Sequence, residues 1–184
     1  MKNKKVILIN SGNRCGKDTA AEILASRLKE FGKKVEIYSF ASSLKKEVAD
    51  FLGMNIEELD LLKNNNEVVT IGNRTINTRD FIIEYSKYIK SITNNDYYYA
   101  NKAKTFVRNV EADIIIISDL RFKEEYETFN VNNTFFIQID SNLEECSEEN
   151  NLKDFIFDYV FKNEKGSIET LKFDIEGFLT NEII

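Results

Sequence analysis

The segment from Lys5 to Ala21, KVILINSGNRCGKDTAA, decides the fold of this chain. Its apolar, partly β-branched run Val6–Ile9 predicts a buried strand that ends at Asn10. A short loop with a Gly-Lys pair follows, and the apolar spacing from Ala20 onward predicts an amphipathic helix. Strand, Gly-Lys loop and helix in this order are the setting of a phosphate-binding loop, because loop amides and a helix N-terminus point at the anion while the lysine neutralises it.

The loop, residues 11–19, departs at two positions from the pattern G-x-x-x-x-G-K-S/T. Ser11 stands in place of the first glycine and Asp18 in place of the hydroxyl residue, with Thr19 one position later. We therefore expect either Asp18 or Thr19 to contact magnesium. A structural Gly-Lys turn is the alternative, but the flanking strand and helix favour phosphate binding. The residues predicted to bind phosphate are Ser11, Gly12, Asn13, Arg14, Cys15, Gly16, Lys17, Asp18 and Thr19.

Outward from this segment, strands and helices alternate along the chain. Helical stripes of apolar residues precede Gly32 and Gly53, and others run over Phe81–Ile92 and Tyr98–Val110. Further strands are predicted at Val35–Tyr38, Ile114–Ser118, Phe135–Ile139 and Tyr159–Phe161. This alternation predicts an α/β domain with a parallel sheet of about five strands. Residues 59–110 are too many for a simple crossover and predict a mostly helical insertion with a small hairpin around Gly72-Asn73.

A second group of candidate residues follows the predicted strand Ile114–Ser118. Asp119 comes at the carboxyl end of that strand, and Arg121 is two residues on. Ligands of open α/β sheets bind outside the carboxyl ends of the strands, so we expect Asp119 to orient magnesium and Arg121 to face the same crevice. The alternative makes Asp119 the N-cap of the next helix and Arg121 its surface neighbour.

Composition narrows the classes of function. The chain has 184 residues, which fits one domain, and a net charge of −6, which disfavours duplex DNA and membrane surfaces as partners. The first 110 residues hold 19 basic against 13 acidic groups, so we expect the anion site there. With no histidine, a Ser-His-Asp or Cys-His nucleophile is excluded. Two cysteines are too few for a disulfide framework, and no apolar run suits a membrane span, so a cytoplasmic protein is expected.

Short motifs occur in a fixed order along nearly the whole chain. They are Gly16-Lys17-Asp18-Thr19-Ala20-Ala21, Phe40-Ala41 with Leu44-Lys45, Thr78-Arg79, Asp119-Leu120-Arg121-Phe122 with Glu125, Ser147-Glu148, and Asp158-Tyr159-Val160 leading to Asn163, Gly166, Ser167 and Leu171. In this order they resemble the phage-type deoxynucleoside monophosphate kinases, which belong to the P-loop nucleoside monophosphate kinase superfamily.

The resemblance implies a three-layer fold of the P-loop NTPase type and transfer of the γ-phosphoryl group of ATP to a deoxynucleoside monophosphate, with Mg²⁺ as cofactor. The insertion would then bind the acceptor. The resemblance further implies a catalytic set of Lys17, Asp119 and Arg121, and metal ligands among Asp18, Thr19 and Asp119. It implies acceptor contacts from Phe40, Arg79, Tyr98 and Arg121, and places Asn163 near the adenine.

The chain departs from this family where a lid would supply positive charge. Asp140 stands where the family tends to carry an arginine, residues 142–151 are acidic, and Cys146 replaces a frequent histidine. Arg14 or Arg108 could supply the charge instead. Two alternatives stay open: a non-catalytic nucleotide-binding or switch protein, and a kinase for another small phosphorylated metabolite. Small nucleotides are the expected partners, and neither a nucleic acid nor a membrane is expected. A homodimer is left open. If the chain comes from a phage, the expected location is the host cytoplasm.

Overall fold

The computed structural model describes residues 4–12, 14–142, 155–164 and 167–183. Seven strands and seven helices lie within these ranges. In chain order they are β1 (Lys5–Asn10), α1 (Lys17–Glu30), β2 (Val35–Tyr38), α2 (Ala41–Leu52), α3 (Ile56–Asn64), β3 (Val68–Ile71), β4 (Arg74–Asn77), α4 (Thr78–Thr93), α5 (Tyr98–Asn109), β5 (Ile114–Leu120), α6 (Lys123–Phe129), β6 (Thr134–Ser141), β7 (Tyr159–Asn163) and α7 (Ile168–Glu182).

The main sheet has five strands in the order β2-β5-β1-β6-β7, and every neighbouring pair is parallel. β1 is central, so the loop that follows it leaves from the middle of the sheet. Both β1 and β5 are almost entirely buried, as expected for parallel strands covered on both faces. The predicted α/β class with a five-stranded parallel sheet is confirmed.

Helices cover both faces of this sheet. On one face, α1 and α7 pack against alternate strand residues in a core that includes Ile7, Ile116 and Phe178. On the other face, Phe106 of α5 stacks on Tyr38 of β2, with ring centroids 4.1 Å apart. The three layers, helix on sheet on helix, match the predicted architecture.

Contacts divide the chain into two units. The first unit, Met1–Ser39 with Lys104–Ile184, contains the main sheet. The second unit, Phe40–Ala103, holds α2, α3, the antiparallel hairpin β3–β4, α4 and the start of α5, around a core of Val48, Ala49 and Leu59. Asn55 and Glu58 form a capping box that begins α3.

The predicted strands and the predicted hairpin are present. The helix predicted before Gly32 begins earlier, at Lys17, because the loop turns directly into it. Helices α3 and α7 were not predicted, although Leu171, Ile175 and Phe178 form an apolar stripe in α7. The second unit, Phe40–Ala103, does not coincide with the predicted insertion 59–110. It begins earlier, because α2 packs on α3 and α4, and it ends earlier, at Ala103. None of the helices in the described ranges has the length and hydropathy needed to cross a membrane.

Candidate functional site

The loop between β1 and α1, which we call the phosphate loop (residues 11–19), ends in a helix with available amides. Gly16 is the N-cap of α1 at φ 92°, a left-handed conformation that favours glycine, and no described side chain caps the helix. The first N–H groups of a helix have no partner within it, and the helix dipole makes this end positive. Arg14 also has a positive φ, 60°, which is rare for a residue with a side chain and concentrates at functional sites.

Lys17 and Asp18 form an ion pair at the start of α1. The Lys17 Nζ lies 3.3 Å from Asp18 Oδ2, and the Lys17 side chain is only 14% exposed while that of Asp18 is 72% exposed. An ion pair with one solvated member contributes little stability, so Lys17 can exchange this partner for an anion at small cost. Thr19, the other candidate metal ligand, is exposed on the same helical turn.

At the ends of β5 and β2, two serines hold the candidate carboxylates. Ser118 Oγ donates to Asp18 Oδ1 at 3.2 Å, and Ser39 Oγ donates to Asp119 Oδ2 at 2.6 Å. The structure therefore brings Asp18 of the phosphate loop and the end of β5 together. Neither serine was predicted, since a lone serine at a strand end gives no signal of its partner.

The pairing of β1 with β5 is irregular at this point. Leu8 pairs with Ile117, whereas Asn10 pairs with Leu120, so two residues of β5 lie opposite one residue of β1. Such bulges redirect side chains and are common beside active sites. Asn10, which is 1% exposed, donates from Nδ2 to the Leu120 carbonyl at 2.8 Å and so fixes the end of the bulged strand. Its Oδ1 has no hydrogen-bond partner within the described residues, and sequence reasoning missed this residue.

Asp119 lies within β5. The alternative prediction, that Asp119 is the N-cap of the helix that follows it, is therefore wrong. The N-cap of α6 is Phe122, and Glu125 accepts the amides of Arg121 at 2.8 Å and Phe122 at 3.0 Å. The buried Glu125 thus shapes the turn that carries Arg121. The Arg121 guanidinium is half-buried and makes no hydrogen bond or ion pair with any described residue.

Asn163, predicted to lie near the adenine, contacts the phosphate loop itself. Its Nδ2 donates to the carbonyl oxygen of Cys15 at 2.9 Å. The Cys15 side chain is fully buried, and Ser11 is 5% exposed. Five other residues of the sequence-based motifs or alternatives lie outside the described residues: Asn13, Cys146, Ser147, Glu148 and Gly166.

In the second unit, Arg79 lies in the first turn of α4. The N-cap residue Asn77 accepts the Arg79 amide through Oδ1 at 2.9 Å, which fixes the backbone there. The exposed guanidinium of Arg79 has no hydrogen-bond or ion-pair partner among the described residues. By contrast, Arg74 is engaged by Glu84 through two hydrogen bonds of 2.8 and 2.9 Å. Arg108, considered for the missing lid charge, is exposed on α5.

The other acceptor candidates of the second unit are already in contact with its own residues. Phe40 is 3% exposed. The hydroxyls of Tyr98 and Tyr99 and the Lys102 ammonium all donate to the Glu47 carboxylate. Burial and the Glu47 charge raise the pKa of Tyr99 far above its usual range, so Tyr99 remains a neutral donor. Sequence reasoning missed Glu47, because its three partners are more than 50 residues away along the chain.

Comparison with known proteins shows that the chain is similar to a family of kinases. The family model described as phosphomevalonate kinase matches residues 9–135, well over half of the chain. No curated protein is a significant match.

Two solved structures are similar at low sequence identity. Dephospho-CoA kinase from Campylobacter jejuni is 18% identical, with a TM-score of 0.46 over 98% of this chain and 96% of that chain. A candidate kinase from Chloroflexus aurantiacus is 16% identical, with a TM-score of 0.37 over 76% of this chain; the match spans only 59% of that protein.

The matched range 9–135 includes the end of β1, the phosphate loop and the Asp119–Arg121 segment. A family of kinases is consistent with the phosphate loop and with the carboxylate at the end of the neighbouring strand. Phosphoryl transfer from a bound nucleotide is therefore supported at the level of a P-loop kinase. On the family match, this chain belongs to the phosphomevalonate kinase family.

Proposed function

We propose that this chain transfers the γ-phosphoryl group of ATP to the phosphate group of a small acceptor, and that the acceptor is a deoxynucleoside monophosphate. The observation that carries the proposal is the phosphate loop after the central strand. In it Lys17 forms an ion pair with Asp18, and Asp18 accepts a hydrogen bond from Ser118 near the end of β5. The acceptor class rests on the order of motifs in the sequence.

The first unit supplies what the donor needs. Phosphoryl transfer depends mainly on positive charge around the phosphate oxygens and on positioning, with little proton transfer. The amides at the start of α1 and the Lys17 ammonium can supply this charge. Arg121 adds a guanidinium that has no hydrogen-bond or ion-pair partner among the described residues. An acceptor phosphate oxygen is largely ionised at neutral pH, since the second pKa of a phosphate monoester is about 6. A chain without histidine can therefore carry out this reaction.

The residues near the phosphate loop fit a magnesium ion bound together with a nucleotide. Mg²⁺ usually takes one or two protein carboxylates and completes its shell with substrate phosphates and water. Asp18, Thr19 and Asp119 offer such oxygen ligands, while within the described residues no group of three or more Cys, Asp or Glu side chains could hold a metal alone. When bound, the ion would neutralise charge on the transferring phosphoryl group.

The second unit supplies Arg79 for the acceptor phosphate. An arginine binds phosphate through two parallel hydrogen bonds, and this geometry requires a guanidinium without a competing carboxylate. Within the part of the chain that the structure describes, Arg79 meets that requirement. Arg74 does not, because Glu84 already accepts two hydrogen bonds from its guanidinium. The position of Arg79 in the first turn of α4 adds the positive end of the helix dipole.

Phosphomevalonate is a second candidate acceptor, because the matching family model carries that name. It also ends in a phosphate monoester, so the same donor residues and an arginine clamp would serve it. The two candidates differ only in what lies beyond the acceptor phosphate, a nucleoside or a short branched acid.

An ADP-release assay across acceptors tests the proposal. The panel contains the four common deoxynucleoside monophosphates, their ribonucleoside counterparts and phosphomevalonate. We expect turnover with at least one deoxynucleoside monophosphate and its loss in Lys17→Ala, which removes the loop charge. Turnover with phosphomevalonate alone would replace the acceptor but keep the kinase. MgATP binding without turnover on any acceptor would indicate the non-catalytic nucleotide-binding protein instead.

A further inference from the structure

Asn163, the last residue of β7, connects its strand to the phosphate loop. Its side-chain Nδ2 donates to the Cys15 carbonyl at 2.9 Å, across 148 positions of sequence. Its own backbone is held by β6, where Ser141 is its pairing partner and donates from Oγ to the Asn163 carbonyl at 3.0 Å. Asn163 therefore reaches the loop from a fixed position in the sheet.

The hydrogen bond to Cys15 sets the direction of the next amide. The Cys15 carbonyl and the Gly16 N–H belong to one planar trans peptide and point in opposite directions. With the carbonyl turned toward Asn163, the Gly16 amide points away from Asn163. The Gly16 carbonyl in turn accepts the first helical hydrogen bond of α1, from the Ala20 amide at 2.9 Å. One side chain thus orients the peptide at which the loop becomes a helix.

Gly16 and Asn163 also fit each other without spare room. A Cβ added to Gly16 would lie 2.2 Å from Asn163 Nδ2, far inside contact distance. Because glycine adopts both signs of φ readily, the left-handed conformation of Gly16, φ +92°, is fixed only as far as its surroundings restrain it. The hydrogen bond from Asn163 is one such restraint, and it acts at the residue next to Lys17.

We propose that Asn163 is a positioning residue for the phosphate loop, one that holds the Cys15–Gly16 peptide in the orientation that binds nucleotide phosphate. This role differs from a contact with the adenine, which the sequence suggested. It rests on the proposed function, because it requires the phosphate loop to bind the phosphates of ATP.

Calorimetric titration of the full chain with MgATP tests this role. Asn163→Ala removes the side chain, and Asn163→Leu keeps its approximate volume but cannot donate a hydrogen bond. We expect both to raise the Kd for MgATP by about three- to tenfold, the effect of losing one hydrogen bond. Titrations are run well below the melting temperature of each variant, so that a loss of stability alone does not change the Kd.

Val160→Ala is the matched control, because Val160 lies in the same strand and is 52% exposed. We expect its Kd to equal that of the unaltered chain. An Asn163→Leu variant that binds MgATP as well as the unaltered chain would overturn the proposal, as would an equal loss in Val160→Ala.

A double-mutant cycle tests the contact between Asn163 and Gly16 directly. Gly16→Ala introduces both a strained φ and a clash with Asn163, whereas in the Asn163→Ala background only the strain remains. We therefore expect Gly16→Ala to raise the Kd by a smaller factor in that background. Losses that multiply would show that the two residues act independently and would contradict the proposal.

The unaltered chain separates the two levels of inference. If it binds no MgATP, the proposed function fails and the role of Asn163 fails with it. If it binds MgATP and both Asn163 variants bind equally well, the role of Asn163 alone is wrong.

Discussion

At the scale of single residues, the arginines differ by whether a carboxylate already holds them. Arg27 pairs with Glu30 and Glu176, and Arg74 pairs with Glu84. Within the described residues, Arg79 and Arg121 have no such partner. An arginine already paired with a carboxylate must give up that pair before it binds phosphate. The uncommitted arginines are therefore the candidates for binding substrate.

Replacing Arg79 should weaken acceptor binding far more than ATP binding. We expect Arg79→Ala to raise the KM for the acceptor by about 10- to 100-fold, the usual effect of losing hydrogen bonds to a charged group, with little change in the KM for ATP. Arg79→Lys keeps the charge but cannot form two parallel hydrogen bonds to phosphate. Its KM for the acceptor should therefore lie between those of the unaltered chain and Arg79→Ala. Initial-rate kinetics with each substrate varied in turn measure the effect.

Arg74→Ala is the control for Arg79, because it removes the same charge from the same unit. We expect near-normal kinetics for Arg74→Ala, since its guanidinium is engaged by Glu84. A larger change in the KM for ATP than for the acceptor would show that Arg79 belongs to the donor instead.

At the scale of secondary-structure elements, β7 and α7 are joined by aromatic packing and by hydrogen bonds, one of them from the Lys162 amide to Asp174 Oδ2 at 2.7 Å. Phe178 of α7 packs edge-on against the rings of Phe135, Tyr159 and Phe161. The Tyr159 hydroxyl donates to the Glu182 carboxylate near the end of the helix. This hydrogen bond, with burial adding to it, raises the pKa of Tyr159 to about 12.

Because the folded state holds the Tyr159 proton more tightly, the stabilisation is complete below the ordinary tyrosine pKa of 10.0 and is lost as the pH rises toward about 12. We expect Tyr159→Phe to lower the free energy of unfolding at neutral pH by about 1 kcal/mol, allowing for partial solvent screening. Between pH 10 and 12 the variant should lose less stability than the unaltered chain. Urea unfolding at a series of pH values measures both effects, and equal slopes would contradict the role of Tyr159.

At the scale of the whole molecule, the described part of the chain is stabilised by apolar cores. The first unit has a core of strand isoleucines covered by α1 and α7, and the second unit has its own around Leu59. Mg²⁺, as proposed, would join the protein only together with the nucleotide. A metal ion that binds only together with the nucleotide stabilises the folded state only when the nucleotide is present.

Removal of the metal should therefore stop the reaction without unfolding the chain. With excess EDTA we expect turnover to fall to background, while the circular dichroism spectrum and the melting temperature of the nucleotide-free protein stay unchanged. Added Mg²⁺ should restore turnover. Full activity in EDTA would remove Mg²⁺ from the proposal, and a melting temperature lowered by EDTA would indicate a structural metal.

The sequence by itself determined most of the elements and the position of the phosphate loop. Each depends on a local pattern: buried runs such as Ile114–Ile117, apolar stripes at helical spacing, and a Gly-Lys pair between a strand and a helix. α3 and α7 were missed although α7 carries a stripe of the same kind. The residues 11–19 and 119–121 could be predicted as candidates because parallel strands end at one edge of their sheet.

Only the tertiary structure decided which side chains meet. The bulge opposite Ile9, the serines that hold Asp18 and Asp119, and the reach of Asn163 to Cys15 all join segments far apart along the chain. Nothing in the sequence indicated that Arg74 pairs with Glu84, or that Arg79 has no carboxylate partner among the described residues. Hydrophobic periodicity specifies which face of an element is buried, but the partner of a polar side chain depends on the register and packing of elements that sequence spacing does not encode.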